Sequence, residues 1–351
     1  MGNLRCYAFP EVVSANLAEG GYGLLSLGLK LILMSPRHFD VAHADVGHRP
    51  SSGWPCRLNR WLRGAVFVSE WWDNYGPEGQ LAHRQSPRTV AGRALQRHEV
   101  WSEIEIRKHA DGVVVLSEAG RQRALGIGIS AERLAIIHGG AETQHITYRE
   151  SGPRSIPGLS ADSLVFGFIG MTPGDLDDLS PFFRAFTSLQ GSLRLKLVTC
   201  GNPLSTPARA ATGIGDSLVE LGWINYRDEA HKLWDVDVFV LVKEDNIKNC
   251  AGWPNKLGDY LAFGRPVLAN PYGDVAAFMD RYPNGFYRVQ RSAEAIRSAI
   301  RSIHQDGVDR RRAMGRLNRE LAERVVSWNA KARELEDFYH RILDSGVRGP
   351  Q

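Results

Sequence analysis

Cysteine is scarce in these 351 residues: Cys6, Cys56, Cys200 and Cys250 stand far apart, with no paired spacing. That excludes a zinc knuckle or a disulfide framework and reads as reduced thiols in a cytoplasmic chain. Net charge is small as well. The formal +4 is too little for a dedicated nucleic-acid binder, yet enough for a local basic face towards phosphates or an anionic membrane. Long apolar runs are missing. The segment "GYGLLSLGLKLILM" (21–34) is broken by Lys30 and is shorter than the roughly 20 residues that span a bilayer. No cleavage site follows it, so it is not read as a signal peptide. There is no Walker sequence, no GxSxG elbow and no tandem repeat. The glycine pairs in "GIGIS" and "GIGD" do not follow a strand, as a dinucleotide fingerprint requires.

What the sequence does have is a repeating order of short apolar runs separated by helical patterns. This is the signature of parallel sheets covered on both faces. The runs are "LRCYAF", "FDVAHAD", "GAVFVSE", "GVVVLS" and "LAIIHG" in the first half. In the second come "SLVFGFIG", "LRLKLVTCG", "LVELGWI", "VDVFVLV", "RPVLAN" and "GFYRV". The Gly-, Pro- and Ser-rich segment 148–163 marks a domain boundary. We therefore expect two Rossmann-like, doubly wound α/β domains, 1–155 and 156–326, with ligands bound in a cleft between strand ends. Residues 327–351 carry apolar side chains at helical spacing (Trp328, Leu335, Phe338, Ile342), which predicts a closing helix packed back on the first domain.

The stretch "WPNKLGDYLAFGRPV" (253–267) holds the most chemistry. Pro254 suits the first turn of a helix, so the amides after it lack intrahelical partners and present a positive dipole end. Lys256 and Asp259, three apart, are neighbours on that helix: one can meet a phosphate, the other can accept ribose hydroxyls. A solvated Lys/Asp pair on an ordinary surface helix is the plainer reading of the same residues.

With its flanks, "VDVFVLVKEDNIKNCAGWPNKLGDYLAFGRPVLANPYGD" resembles the carboxyl-terminal domain of family 4 glycosyltransferases, which have the GT-B fold. Upstream, "EIRKHADGVVVLSEAGRQRALGIGISAERLAIIHGGAE" is similar to the end of that family's first domain, "VFGFIGM" to the strand opening the second, and "LGWI" to the strand beside the base. The tail is similar to its closing helix. The likeness covers most of the chain from Phe39 onwards.

Carried over by this resemblance, Lys256 holds the donor diphosphate and Asp259 the ribose. Gly170, Asn249, Trp253, Pro254 and Asn255 neighbour the sugar and phosphates, and Gly222, Trp223 and Ile224 lie beside the base. His43 faces the transferred sugar, with catalytic roles implied for His43 and Lys256. Gly20 and Gly21, in "EGGYG", stand where the family has an acceptor-side glycine loop. Three departures are visible. The first of the family's two acids, seven residues apart, falls on Ala251. The loop "MTPGDLDD" lacks the expected arginine or lysine and carries extra acids, leaving Lys256 largely alone with the anion. The chain starts where the family has already passed one strand.

Other signals are weaker. "DVD" (235–237) would chelate a metal in the other large glycosyltransferase fold, but it runs straight into an apolar strand and reads as strand-start residues. His43 and His48 are five apart, which misses a metal-binding helix face. In "SEWWDNYG" (69–76), Asp73 is a candidate for the acceptor pocket beside tryptophans that can stack on a sugar, or else caps a turn. "CRLNRWLR" (56–63) suits either an anionic bilayer beside a lipid-linked acceptor or a basic surface helix.

The resemblance implies a retaining, metal-independent glycosyltransferase, with no cofactor beyond its nucleotide-sugar donor and with a saccharide or lipid-linked saccharide acceptor. It would act in polysaccharide or lipopolysaccharide assembly, in the cytoplasm and at most peripherally on the membrane. The alternatives are a catalytically weak or inactive homologue that binds a sugar nucleotide or supports a partner transferase, and a nucleotide-sugar epimerase of the same fold.

Overall fold

The computed structural model describes residues 4–10, 12, 21–72, 76, 79, 87–150, 152–170 and 172–350. The chain forms two compact units: Met1–Ile137 with Glu334–Gln351, and His138–Arg333.

In the first unit, among the described residues, four strands lie parallel in chain order: β1 (Val41–Ala44), β2 (Val66–Trp71), β3 (Gly112–Val115) and β4 (Leu134–Ile136). Their apolar runs are continuous because both faces are covered. Phe67, Val113 and Val115 pack with Ile106 and Ala124 on one face. Val66, Val68 and Val114 pack on the other with Phe338 and Ile342, from the end of the helix Trp328–Ser345. Each such side chain contributes roughly 1.5–3 kcal/mol by leaving water. The helix Pro50–Arg63 ends at Gly64, whose φ of 77° is the left-handed conformation glycine adopts cheaply. The expected strand "LRCYAF" is not one: residues 4–10 have no regular structure, and Leu4 and Tyr7 are 72% and 54% exposed. An apolar run without a neighbouring edge has nothing to complete its hydrogen bonds.

The second unit holds, among its described residues, a six-stranded parallel sheet of β5 (Leu164–Ile169), β6 (Leu195–Cys200), β7 (Leu218–Glu220), β8 (Val238–Leu241), β9 (Val267–Ala269) and β10 (Phe286–Arg288). Its order is β10-β9-β8-β5-β6-β7, the dinucleotide-fold arrangement in which the strand order reverses between the first and fourth strands. Here that is between β5 and β8, and open α/β sheets bind ligands beyond the carboxyl ends at such a switch point.

The units divide between 137 and 138, earlier than the expected 155. Residues 138–163 belong to the second unit because two acids bind them. Asp235 accepts hydrogen bonds from the backbone N–H of Ser155 (2.5 Å) and of Ile156 (2.7 Å) and pairs with Arg149. Asp237 pairs with Arg154 at 2.9 Å. The "DVD" motif thus clamps the linker. The "GRPV" turn also holds it: Arg265, 8% exposed, spends its guanidinium on the carbonyls of Val236, Phe263, Gly264, Trp234 and Arg149.

Candidate functional site

The site in the second unit is built at the switch point. After β5 the chain turns at Gly170 (φ 67°) into the short helix Pro173–Asp178. Thr172 and Asp175 cap that helix reciprocally: the Thr172 hydroxyl accepts from Asp175 N–H, and the Asp175 carboxylate accepts from Thr172 N–H. Lateral bonds fix the neighbouring strand ends, from Gly170 N–H to the Cys200 carbonyl and from Gly201 N–H to the Gly222 carbonyl, both 2.8 Å.

The helix Asn255–Ala262 brings Lys256 to the same place. Pro254 is its N-cap residue, one position earlier than the first helical turn. Lys256 Nζ donates to the Gly170 carbonyl (3.3 Å) and to Asp175 Oδ1 (3.2 Å), and sits 4.0 Å from the centre of the Phe168 ring. Burial pushes its pKa down to about 8, opposed by Asp175. Burial works against the charge on Asp175, but Lys256, Thr172 and Lys243 hold its carboxyl below the ordinary carboxylate range.

Lys243 was missed in the sequence. It follows β8, and its Nζ lies 3.3 Å from the same Asp175 Oδ1 and 3.1 Å from Asp178 Oδ2. The Asn270 side chain clamps its backbone, accepting from Lys243 N–H and donating to the Lys243 carbonyl, each at 2.9 Å. Asp178 also accepts from Glu244 N–H and from the Asn249 amide. Lys256 is expected to meet an anion largely alone, yet a second ammonium, that of Lys243, lies against the same carboxylate oxygen. The only sequence signal was a lysine placed directly after an apolar strand.

Asp259 lies one turn beyond Lys256. Its Oδ2 accepts a 3.0 Å hydrogen bond from the Tyr226 hydroxyl. Burial raises its pKa to about 6, and the bonds from Tyr226 and from the Glu142 backbone N–H oppose that shift. Trp253 is buried and stacks on His138, with ring centres 4.0 Å apart; His138 Nε2 in turn meets Asp274 at 2.9 Å. Asn255 fills the space over Gly139, where an added Cβ would lie 2.0 Å from its Oδ1. Trp223 is 76% exposed after β7, between Gly222 and Ile224, and its indole N–H donates to Asn202. Ala251, at the missing acid position, is buried.

In the first unit His43 stands on β1. Its Nδ1 is engaged by the hydroxyl of Tyr339, and its Nε2 lies 3.2 Å from Glu70 Oε1. Tyr339 comes from the closing helix, a partner that sequence proximity does not reveal. His48 is structural: burial, with Arg107 and Arg49 nearby, lowers its pKa to about 3. Gly21 packs against Arg49, where an added Cβ would lie 2.6 Å from that side chain. Gly20 and Asp73 lie outside the described residues.

Two family models match the chain. One, described as a glycosyl transferase 4-like domain, matches residues 24–140, and the other, glycosyl transferases group 1, matches residues 163–306. No curated protein matches. Among solved structures, Anabaena HepE in complex with UDP and glucose is 13% identical, with a TM-score of 0.66, over 94% of this chain and 84% of that one. A glycosyltransferase from Rickettsia africae is 14% identical, with a TM-score of 0.64, over 95% and 84%. Sucrose-phosphate synthase from Thermosynechococcus elongatus is 17% identical, with a TM-score of 0.64, over 88% and 74%. With two parallel-sheet α/β units, matched in turn by the two halves of one family, the chain belongs to the family 4, group 1 glycosyltransferases of GT-B fold.

Proposed function

We propose that this chain transfers a sugar from a nucleotide-sugar donor to a hydroxyl of a saccharide or lipid-linked saccharide, with retention, in the assembly of a surface polysaccharide or lipopolysaccharide. The observation that carries this reading is the Lys256 ammonium, held at the end of β5 where such sheets bind nucleotides. In the transfer, the bond from the anomeric carbon to the diphosphate oxygen breaks and its electron pair leaves with the nucleoside diphosphate. The acceptor oxygen bonds to that carbon, and its proton passes to the departing diphosphate oxygen. Lys256 stabilises the charge that grows on the departing oxygen. Asp259 is the candidate partner of the ribose hydroxyls, and His43 the candidate for contact with sugar.

Lysine charge takes the place of a metal in this scheme, so chelation with EDTA should leave transfer unchanged. HepE is described with UDP and with glucose, which makes UDP and UDP-glucose the first probes. Isothermal titration against a panel of nucleotide sugars, followed by a transfer assay, tests the reading. Saturable donor binding with turnover supports it, and no binding of any sugar nucleotide would refute it.

A second reading is binding without turnover. Ala251 in place of the first acid and Asp175 on Lys256 favour it. Donor binding with neither transfer nor hydrolysis would establish it.

We also propose a cytoplasmic location with peripheral contact at an anionic membrane. Among the described residues no helix is long and apolar enough to cross a membrane. On the helix Pro50–Arg63, Trp61 is 79% and Leu62 44% exposed beside Arg57 and Arg63, the mixed apolar and basic surface that anionic bilayers attract. Sedimentation with phosphatidylglycerol vesicles, but not with phosphatidylcholine vesicles, is the expected result.

A further inference from the structure

We propose that Lys243 and Lys256 form one two-lysine seat for the donor's diphosphate, and that Asp175 is an internal occupant which the incoming phosphate displaces. This rests on the nucleotide-sugar reading above. The two ammonium nitrogens come from different elements, the end of β8 and the helix after Pro254, yet both lie against the same oxygen. Asp175 Oδ1 is 3.3 Å from Lys243 Nζ and 3.2 Å from Lys256 Nζ. One anionic oxygen bridging two ammonium groups is the contact a phosphate oxygen would make in the same place.

Lys243 is also preorganised. Asn270 holds its backbone N–H and carbonyl, and Asp178 Oδ2 receives its Nζ at 3.1 Å, so little side-chain freedom remains to be lost when an anion binds. Asp178 is committed elsewhere too, through Glu244 N–H and the Asn249 amide. Asp175 is held differently. Its other oxygen, Oδ2, caps the helix Pro173–Asp178 through the backbone and hydroxyl of Thr172. A turn of the carboxylate about that anchor withdraws Oδ1 from the lysines.

Charge explains why Asp175 must withdraw. Two lysines against Asp175 and Asp178 leave the seat formally neutral, and a diphosphate beside two carboxylates is repelled. With Asp175 turned out, the seat is cationic. With no anion bound, the carboxylate keeps two half-buried ammonium groups from facing each other unpaired.

The test is isothermal titration of the full-length chain with inorganic pyrophosphate and with UDP, with uridine as the control that carries no phosphate. Lys243→Gln should weaken pyrophosphate and UDP binding by roughly tenfold or more and leave uridine unchanged. Asp175→Asn should tighten both phosphate ligands severalfold, because the competitor has lost its charge. Melting curves establish that each variant folds. Should Lys243→Gln fail to fold, Asp175→Asn alone decides: unchanged or weaker binding overturns the proposal. If Lys256→Ala weakens UDP while Lys243→Gln does not, the two-lysine seat is refuted and the nucleotide-sugar reading stands. If neither lysine affects UDP, both fall.

Discussion

The Tyr226 hydroxyl donates to a carboxylate, Asp259, that burial has already pushed towards neutrality, with a pKa of about 6. Because this folded-state pKa exceeds the unfolded value near 3.8, the folded protein prefers the protonated acid. That preference contributes fully below about pH 4 and is lost as pH rises through about 6. Asp259→Asn keeps the acceptor for Tyr226 and removes the charge. It should therefore raise stability by about 3 kcal/mol at pH 8 and change little at pH 4. Urea denaturation at both pH values checks this, and equal effects would contradict it.

Lys256 brings a pH dependence to binding. With a pKa lowered to about 8 by burial, its positive charge fades as pH rises from 7 to 9. UDP binding should fall by roughly tenfold across that interval and be accompanied by proton uptake. In Lys256→Arg the group stays charged, so the dependence should flatten even if the affinity changes. Titrations in buffers of different ionisation enthalpy measure both effects.

Tyr339 holds His43 from the closing helix, and burial followed by the nearby Glu70 pushes its phenol up to about 12. It therefore remains a hydrogen-bond donor throughout the useful pH range. Tyr339→Phe leaves a half-buried imidazole nitrogen without that partner. This should cost about 1–3 kcal/mol of stability and lower kcat, while UDP affinity in the other unit stays unchanged. Parallel denaturation and titration experiments check the pair.

Gly264, in the "GRPV" turn, has φ of 62°, and a Cβ there would lie 2.4 Å from the Tyr148 ring. Gly264→Ala should cost at least about 1–2 kcal/mol, and more if Tyr148 cannot shift. Thermal denaturation measures it.

The inner strands of the second sheet were legible because covered parallel strands are unbroken apolar runs between turn residues, and the edges β7 and β10 because Gly and Ser flank shorter ones. "LRCYAF" has the same local look, yet a strand also needs a neighbour, and local pattern carries no information about one. The boundary failed for a related reason. Gly, Pro and Ser in 148–163 announce a loop, but what attaches it to the second unit is Asp235 and Asp237, some eighty residues further on. At the site, Lys256 was readable because its motif is local. Lys243 was not, because its meaning comes from Asp175 on another loop. The acids of "MTPGDLDD" read from sequence only as foreign to an anion site. Their role as lysine partners needed the fold.

The most direct test of the central claim is a crystal of the protein soaked with UDP. The account predicts a phosphate within hydrogen-bonding distance of Lys256 Nζ, at the end of β5, with Asp175 Oδ1 no longer on that lysine. UDP bound elsewhere, with the Lys256–Asp175 pair intact, would contradict it.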